Sequence, residues 1–356
     1  EEGTAYVSFD GHMTGDMKTH LAKTSDFGKT WQSLVTADLK GYAHVIREDL
    51  VNPKLLFLGT ELGLFASVDG GRQWGQFTAG LPKAAVRDLT IHPREHDLII
   101  ATHGRGIYIV DDLTPLRNLT AQVLESEAAF LPSRPPVLTI PGGMDFDMSG
   151  DAEFVGRTLS EQASITYYLK KRHMFGDLKL EIYDSQGKLL SSAPGGKRRG
   201  LNRVDWAVRS KAPRTPAAAS IIPSYYAFLG PRAPEGTYTV KMIKGKETYT
   251  TTVDLVPDPR STHTAEDRAL QRETAWKLYA LLERLTFTVE SIADARDQAK
   301  ARAEKLPRGE GLRKRLTALA DGFEKQRTAL VASKEAEGGI SGDEKLREEI
   351  GMLYGN

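Results

Sequence analysis

An eight-residue motif that occurs twice, 43 residues apart, constrains this chain more than any other feature. Thr24-Ser25-Asp26-Phe27-Gly28-Lys29-Thr30-Trp31 returns as Ser67-Val68-Asp69-Gly70-Gly71-Arg72-Gln73-Trp74, with a hydroxyl, Asp, Gly and Trp matching in register. A repeat of roughly 40 to 45 residues has room for four short strands and their turns. Each copy reads as a tight hairpin. Asp26 and Asp69 can accept hydrogen bonds from their own turn, and Gly28 and Gly71 can take positive φ without a Cβ clash. Trp31 and Trp74 then fold over the turn and fill the space between neighbouring units. With Thr24 and Ser67, these residues are read as structural rather than catalytic.

Around the second copy, strands are expected over residues 43–47, 55–59, 63–67 and 73–77, separated by polar or glycine-rich turns. The next unit repeats the pattern over 86–91, 98–101 and 106–110. There Asp111-Asp112-Leu113-Thr114-Pro115 replaces the motif, and no outer strand is expected. Residues 4–9 align with the second strand of the complete unit, so the first unit is short at its start. The expectation is a partial β-propeller of about two and a half blades over residues 1–118. Its ring would be completed by missing N-terminal blades of the same protein, because stacked repeats need neighbours on both faces.

From residue 119 the texture changes. Pro132, Pro135, Pro136, Pro141 and Gly142-Gly143 lead to a loop around Asp145 and Asp147, and 119–160 is read as a linker. Alternating strands follow over 163–169, 178–183, 188–191, 200–206, 236–242 and 247–255, which argues a β-sandwich over 161–259. Tyr183, Trp206 and Tyr238 are its expected core aromatics. A Pro/Ala-rich excursion between Lys211 and Pro234, with Tyr225 and Tyr226, reads as a surface loop. Thr264-Ala265-Glu266-Asp267 has the form of a capping box, and Leu278, Leu281, Leu282, Leu285, Val289 and Ile292 follow at helical spacing. Beyond Pro307-Arg308-Gly309, the residues Leu312, Leu316, Leu319, Phe323 and Leu330 mark one face of a second helix. Residues 260–356 are read as an antiparallel helical hairpin plus the start of a third helix at Ser341-Gly342-Asp343-Glu344. The fold class expected is mainly β with an α-helical tail.

Forty-eight basic residues against 47 acidic ones leave a net charge of +1, so no global field draws the chain to nucleic acid or anionic lipid. Lys170-Lys171-Arg172-His173 and Lys197-Arg198-Arg199 read as solvated loop tips. The absence of cysteine excludes disulfides, thiolate zinc sites and cysteine nucleophiles. No apolar run approaches the roughly 20 residues that span a bilayer, so no membrane insertion is expected. Asp10, His12, Asp16 and His20 are a loose ligand cluster without defined spacing, read as a solvated turn, and neither metal nor cofactor is expected.

The run Gly59-Thr60-Glu61-Leu62-Gly63-Leu64-Phe65-Ala66-Ser67-Val68-Asp69-Gly70-Gly71 and the run Ala101-Thr102-His103-Gly104-Arg105-Gly106-Ile107-Tyr108-Ile109-Val110-Asp111-Asp112 carry a family resemblance. They resemble the Asp-box, or bacterial-neuraminidase-repeat, β-propellers of the sortilin-like and sialidase-like bacterial glycosyl hydrolase group. Gly200-Leu201-Asn202-Arg203-Val204-Asp205-Trp206 and Pro234-Glu235-Gly236-Thr237-Tyr238-Thr239-Val240 resemble an Ig-like module of flagellar hook-capping type. The resemblance implies a secreted or envelope-associated protein, extracytoplasmic in a bacterium, that binds a glycan or a protein or peptide ligand as a scaffold. It also implies an alternative, an exo-acting glycoside hydrolase of sialidase type whose catalytic residues lie mostly in the missing blades. In related sialidases the active face lies opposite the Asp-boxes. By that likeness the binding face here takes the loops 10–20, 59–63 and 102–106, with Asp10, His12, Lys18, Glu61, His103 and Arg105 as candidate binding residues. The competing reading for Arg105 is a tight turn in which it pairs Asp111 or Asp112.

Overall fold

The computed structural model describes residues 2–139, 162–217, 227, 229–334 and 343–355. The protein is mainly β, in several sheets, with a C-terminal helical region. Three antiparallel meanders come first. One joins β1 (Ala5–Gly11), β2 (Asp16–Thr24) and β3 (Gln32–Ser33), with a short 3-10 turn at His12–Thr14. The next is four-stranded: β4 (Ala43–Glu48), β5 (Leu56–Thr60), β6 (Gly63–Ser67) and β7 (Gly75–Phe77). The third has β8 (Val86–Ile91), β9 (Leu98–Thr102) and β10 (Ile107–Val110), and no fourth strand follows among the described residues.

The sheets stack through their first strands, β1 on β4 and β4 on β8. Strand β5 is buried on both faces, which explains its unbroken apolar run. Leu56 and Leu58 pack toward the first sheet with Leu21, Leu34, Phe65 and Trp74, whereas Leu55 and Phe57 pack toward the third with Val86, Leu89 and Ile100. Each such side chain contributes roughly 1.5–3 kcal/mol by leaving water. Gly59 lets β5 and β8 approach closely, since a Cβ there would sit 2.6 Å from the Val86 carbonyl oxygen.

Both repeated turns close by the same bonds. The Thr24 and Ser67 hydroxyls each donate to the following aspartate at 2.8 Å and accept from the Gly28 and Gly71 amides. Asp26 then accepts from the Thr30 amide and hydroxyl, and Asp69 from the amides of Arg72 and Gln73. The left-handed φ of 84° at Gly28 and 90° at Gly71 completes the reversal. The tryptophans differ. Trp74 is buried and donates its indole N–H to the Leu34 carbonyl of the preceding sheet at 3.0 Å. Trp31 is 49% exposed and bonds only within its own turn, to the Gly28 carbonyl, because among the described residues no sheet lies beyond it.

Helices α1 (Thr114–Arg117) and α2 (Ala121–Glu125) lead from the meanders to a unit of two packed sheets. Its three-stranded sheet runs β11 (Ala128–Leu131), β13 (Ala163–Leu169), β16 (Gly200–Trp206). The five-stranded sheet runs β12 (Val137–Leu138), β18 (Glu247–Pro257), β17 (Gly236–Lys244), β14 (Leu178–Tyr183), β15 (Leu189–Pro194). Thus the stretch read as a linker supplies one strand to each sheet, since Ala128 and Leu131 bury themselves beside β13. Asp145, Asp147, Gly142-Gly143, Tyr225 and Tyr226 lie outside the described residues. Ile165, Tyr167, Leu180, Trp206, Tyr238 and Val240 fill the core between the sheets, where Trp206 meets Tyr238 edge-on at 5.1 Å. Tyr183 does not join them. On β14 the alternation turns Leu178, Leu180 and Ile182 inward, so Tyr183 faces out, with its hydroxyl on Glu181 and the Lys241 amine over its ring.

The helical region is led by α3 (Ala265–Glu304), whose start carries the expected reciprocal capping box between Thr264 and Asp267. After a break at 307–309, α4 (Gly311–Leu330) packs back along it, and α5 (Leu346–Gly355) follows. Leu282, Leu285 and Val289 share a core with Val331 and Ile350. On α4 the expected face holds only in part: Leu316, Phe323 and Leu330 are half-buried, with Leu330 packed on that core. Leu312 and Leu319 are half exposed, and the buried residues are Ala320 there and Ala299 and Ala303 on α3, small side chains that let two helices approach closely. Among the described residues no helix is long and apolar enough to cross a membrane.

Candidate functional site

In a meander, successive turns alternate between two ends of the sheet. The Asp69 turn closes one end of the second sheet, and the β5–β6 turn with the start of β4 forms the other. The β1–β2 and β9–β10 turns follow the same parity, so the loops around residues 10–16, 60–63 and 102–106 share the end opposite Trp31 and Trp74.

At that end, side chains from all three sheets converge on His44, whose ring is 5% exposed. Its Nε2 lies 3.1 Å from Glu61 Oε2, and its Nδ1 lies 3.3 Å from Arg87 Nη1 and 3.4 Å from Asp10 Oδ2. A neutral imidazole carrying its proton on Nε2 satisfies the two shorter contacts, donating to Glu61 and accepting from Arg87. Asp10 in turn accepts from the His12 amide at 3.1 Å and sits 2.5 Å from His12 Nδ1. The His12 ring stacks on Tyr42 at 4.8 Å, and Tyr42 meets His44 edge-on at 5.1 Å.

Local backbone irregularities aim the two basic groups. The β4–β5 register slips between Ala43 and Val45, and the β8–β9 register slips between Val86 and Asp88. His44 and Arg87 are the extra residues of these bulges, which re-aim their side chains toward the sheet end. They are 43 residues apart, the period of the repeat.

The carboxylates are held anionic. The hydrogen bond from His12 is the main cause that lowers the Asp10 carboxyl below its ordinary value. For Glu61, burial pushes upward, but hydrogen bonds from His44 and Tyr42 and the charge of Arg87 outweigh it, and the net shift is downward. Burial, then the bond to Glu61, raises the Tyr42 phenol. The cluster thus presents two ionised acceptors, a half-exposed guanidinium fork at Arg87 and an aromatic stack.

Of the residues expected at this face, Asp10, His12 and Glu61 join the cluster. Lys18 does not, because β2 alternates: His20 pairs with Phe9, whose side chain points away from β4, and Lys18 shares that outer face. Asp16 and His20 pair with each other at 2.7 Å and make no hydrogen bond to Asp10 or His12. His103 and Arg105 sit on an exposed turn at the same end, closed by the Thr102 amide and the Gly106 carbonyl, and the His103 amide reaches the Ala85 carbonyl. Neither side chain makes a hydrogen bond or ion pair with the cluster. Arg105 does not pair with Asp112, which accepts from the amides of Thr114 and Arg134 instead. Tyr42, His44 and Arg87 were not anticipated, although the 43-residue period alone would have aligned His44 with Arg87. Among the described residues no group of three or more His, Asp or Glu is arranged to hold a metal. A separate cavity of about 160 Å³, lined by Phe77, Val110, Leu116, Thr166 and Leu201, lies between the third sheet and the two-sheet unit and contains none of these residues.

No family model and no curated protein matches the chain. Among solved structures it is similar to PorZ, an essential bacterial surface component of the type-IX secretion system of Porphyromonas gingivalis, at 12% identity and a TM-score of 0.25, over 71% of this chain and 37% of that one. It is also similar to a GH74 enzyme of Niastella koreensis, at 14% identity and a TM-score of 0.27, over 70% of this chain and 36% of that one. The chain spans little more than a third of either protein's length, and at such TM-scores the likeness fixes neither fold nor activity.

Proposed function

We propose that the three meanders are consecutive blades of an Asp-box β-propeller, that the two-sheet unit is Ig-like, and that the protein is an extracytoplasmic bacterial scaffold binding a glycan at the His44 end of the propeller. Further blades of the same protein would complete the ring. The two identical hydroxyl–Asp–Gly turns and the stacking of β1, β4 and β8 support the propeller reading. One observation carries the binding reading: a nearly buried histidine bonded to Glu61 and Arg87, with the Asp10 carboxylate 3.4 Å away, so that polar groups from three separate sheets converge where packing alone does not require it. Ionised carboxylates beside an exposed guanidinium and aromatic rings suit the hydroxyl, carboxylate and ring-face chemistry of sugars.

Hydrolysis is the less favoured reading. An exo-acting hydrolase of sialidase type would keep its catalytic residues mostly in the missing blades, and of the residues here Asp10 and Glu61, both shifted below the ordinary carboxylate range, do not suit the role of proton donor. The test is an array of immobilised neutral, sialylated and uronate-containing oligosaccharides, probed with the whole chain and with Glu61→Gln and Arg87→Ala. Binding to one class that both variants lose, at unchanged melting temperature, is expected. Binding that survives both substitutions would place the glycan elsewhere, and sugar release from fluorogenic glycosides that Glu61→Gln abolishes would favour the hydrolase.

A further inference from the structure

The two basic runs at 170–173 and 197–199, distant in sequence, meet in space. The His173 amide donates to the Lys197 carbonyl at 3.0 Å. They occupy the β13–β14 and β15–β16 connections, and the tip of the β17–β18 hairpin joins them, its Gly245 amide reaching the Asp177 carbonyl at 3.3 Å. Strand parity brings all three connections to one end of the two-sheet unit.

The charges at that end are unbalanced. Lys171, Arg172, Arg198 and Arg199 are exposed and make no ion pair with any described residue. The Lys170 and Lys197 amines are engaged by the Glu125 and Gly176 carbonyls, and Lys244 pairs with Glu247. The acids nearby are Glu125, Glu127, Asp177 and Glu247, fewer than the cations. From the middle of this basic end, Met174 and Phe175 project at 63% and 86% exposure, and Phe175 is the most exposed large hydrophobic residue described. Gly176, at φ 78°, supplies the left-handed turn that leaves the phenyl ring at the tip.

We infer that this end docks on an anionic membrane surface, with the unpaired cations over lipid phosphates and Met174 and Phe175 in the interfacial layer. A bilayer of acidic lipid offers both halves of the match, dense negative charge and an apolar layer just beneath it. A soluble polyanion would satisfy the cations and leave Phe175 in water, and an apolar protein groove would take Phe175 and strand the cations. Because the whole chain carries a net charge of only +1, the attraction is local. It therefore fades over a Debye length of about 8–10 Å in ordinary salt.

The test is co-sedimentation of the full chain with phosphatidylcholine vesicles, with and without phosphatidylglycerol, at low and high salt. Binding only to the acidic vesicles, weakened by salt, is expected. At about fivefold per cation, Arg172→Gln with Arg198→Gln should lower the partition roughly 25-fold. Phe175→Ser should lower it about tenfold, through the lost transfer of an aromatic side chain. All the substituted side chains are exposed, so unchanged melting curves should accompany these losses. Equal binding to neutral vesicles, or no binding at low salt, would overturn the inference. Polyphosphate bound as well by Phe175→Ser as by the parent, with no vesicle binding, would assign the patch to a soluble polyanion.

Discussion

Arg117 grips both oxygens of the Asp49 carboxylate, at 2.7 and 2.9 Å, across 68 residues of sequence. The Asp49 side chain is fully buried and also accepts the amides of Val51 and Asn52. Arg117 further touches His96 Nδ1 at 3.2 Å, so α1 is pinned at once to the second and third sheets. Removing the guanidinium would leave a buried carboxylate with amide donors alone. Arg117→Ala is expected to lower the unfolding free energy by about 3–5 kcal/mol, read from denaturant midpoints. A loss under about 1 kcal/mol, the range of exposed pairs, would show that solvent reaches Asp49.

The two motif tryptophans should respond unequally. Trp74 is 5% exposed, packs among Leu21, Leu34 and Phe65, and bonds across to the neighbouring sheet. Trp74→Ala should cost about 3–5 kcal/mol. Trp31→Ala should cost less, about 1–2 kcal/mol in the same chain, since only about half of the side chain leaves water on folding and its neighbours can close over the gap. Equal losses would mean that Trp31 is covered after all.

The repeated aspartates should act through their turns. Asp69 accepts two amides and one hydroxyl, and Asp69→Ala should destabilise by about 1–3 kcal/mol through the unsatisfied donors. Thermal melts measure this, and ligand affinity in the folded variant should be unchanged, since the turn lies at the opposite end from His44. A folded variant with weakened binding would make the turn functional.

What was legible in the sequence follows from what local chemistry encodes. The 43-residue period, the turn bonds of Asp26 and Asp69, the four strands of the second unit and the Thr264 cap depend on residues close in sequence, so their patterns could be read directly. The face opposite Trp74 followed from strand parity. What escaped was set by register and by long-range contact. Tyr183 and Lys18 were assigned without counting which side of the strand each occupies, and a slip of one residue reverses that side. His44 and Arg87 owe their aim to bulges, which no periodicity announces. The packed face of α4, centred on Ala320, shares Leu316, Phe323 and Leu330 with the expected stripe but is rotated away from Leu312 and Leu319, and the basic end of the two-sheet unit exists only once distant loops meet.

The helical region should loosen in acid. Hydrogen bonds from Arg327 and then Arg296 hold the Glu324 carboxyl at about 2, below its ordinary 4.5. A depressed folded-state value means that the stabilisation is whole above pH 4.5 and is lost as pH falls toward 2. The side chain is 35% exposed, so solvent screening limits the effect to on the order of 1 kcal/mol. Circular dichroism melts of the parent and Glu324→Gln should converge as pH drops through that window. Parallel curves throughout would show that the two arginines add nothing to stability.

The last prediction separates residues that merely share the candidate face from those that build it. His103 and Arg105 lie on the β9–β10 turn at the same end as the cluster, yet their side chains are exposed and unattached to it. A ligand centred on His44 would instead meet the Arg87 guanidinium, which is half exposed and lies 3.8 Å from Glu61. Losing a charged hydrogen-bond donor typically costs about 1.5–3 kcal/mol, or roughly 10- to 100-fold in affinity. Arg87→Ala should therefore weaken binding of the glycan class found on the array by that factor, while His103→Ala and Arg105→Ala leave it unchanged. Arg87→Lys distinguishes charge from geometry: a lysine cannot offer the planar fork, so recovery of affinity would mean that only the charge matters. His44→Gln, which keeps a donor beside Glu61, should retain the fold and lose affinity through misplacement of Glu61 and Arg87. If the Arg105 variant loses affinity while the Arg87 variant keeps it, the ligand sits on the outer loops, and the His44 cluster is a structural clasp between sheets.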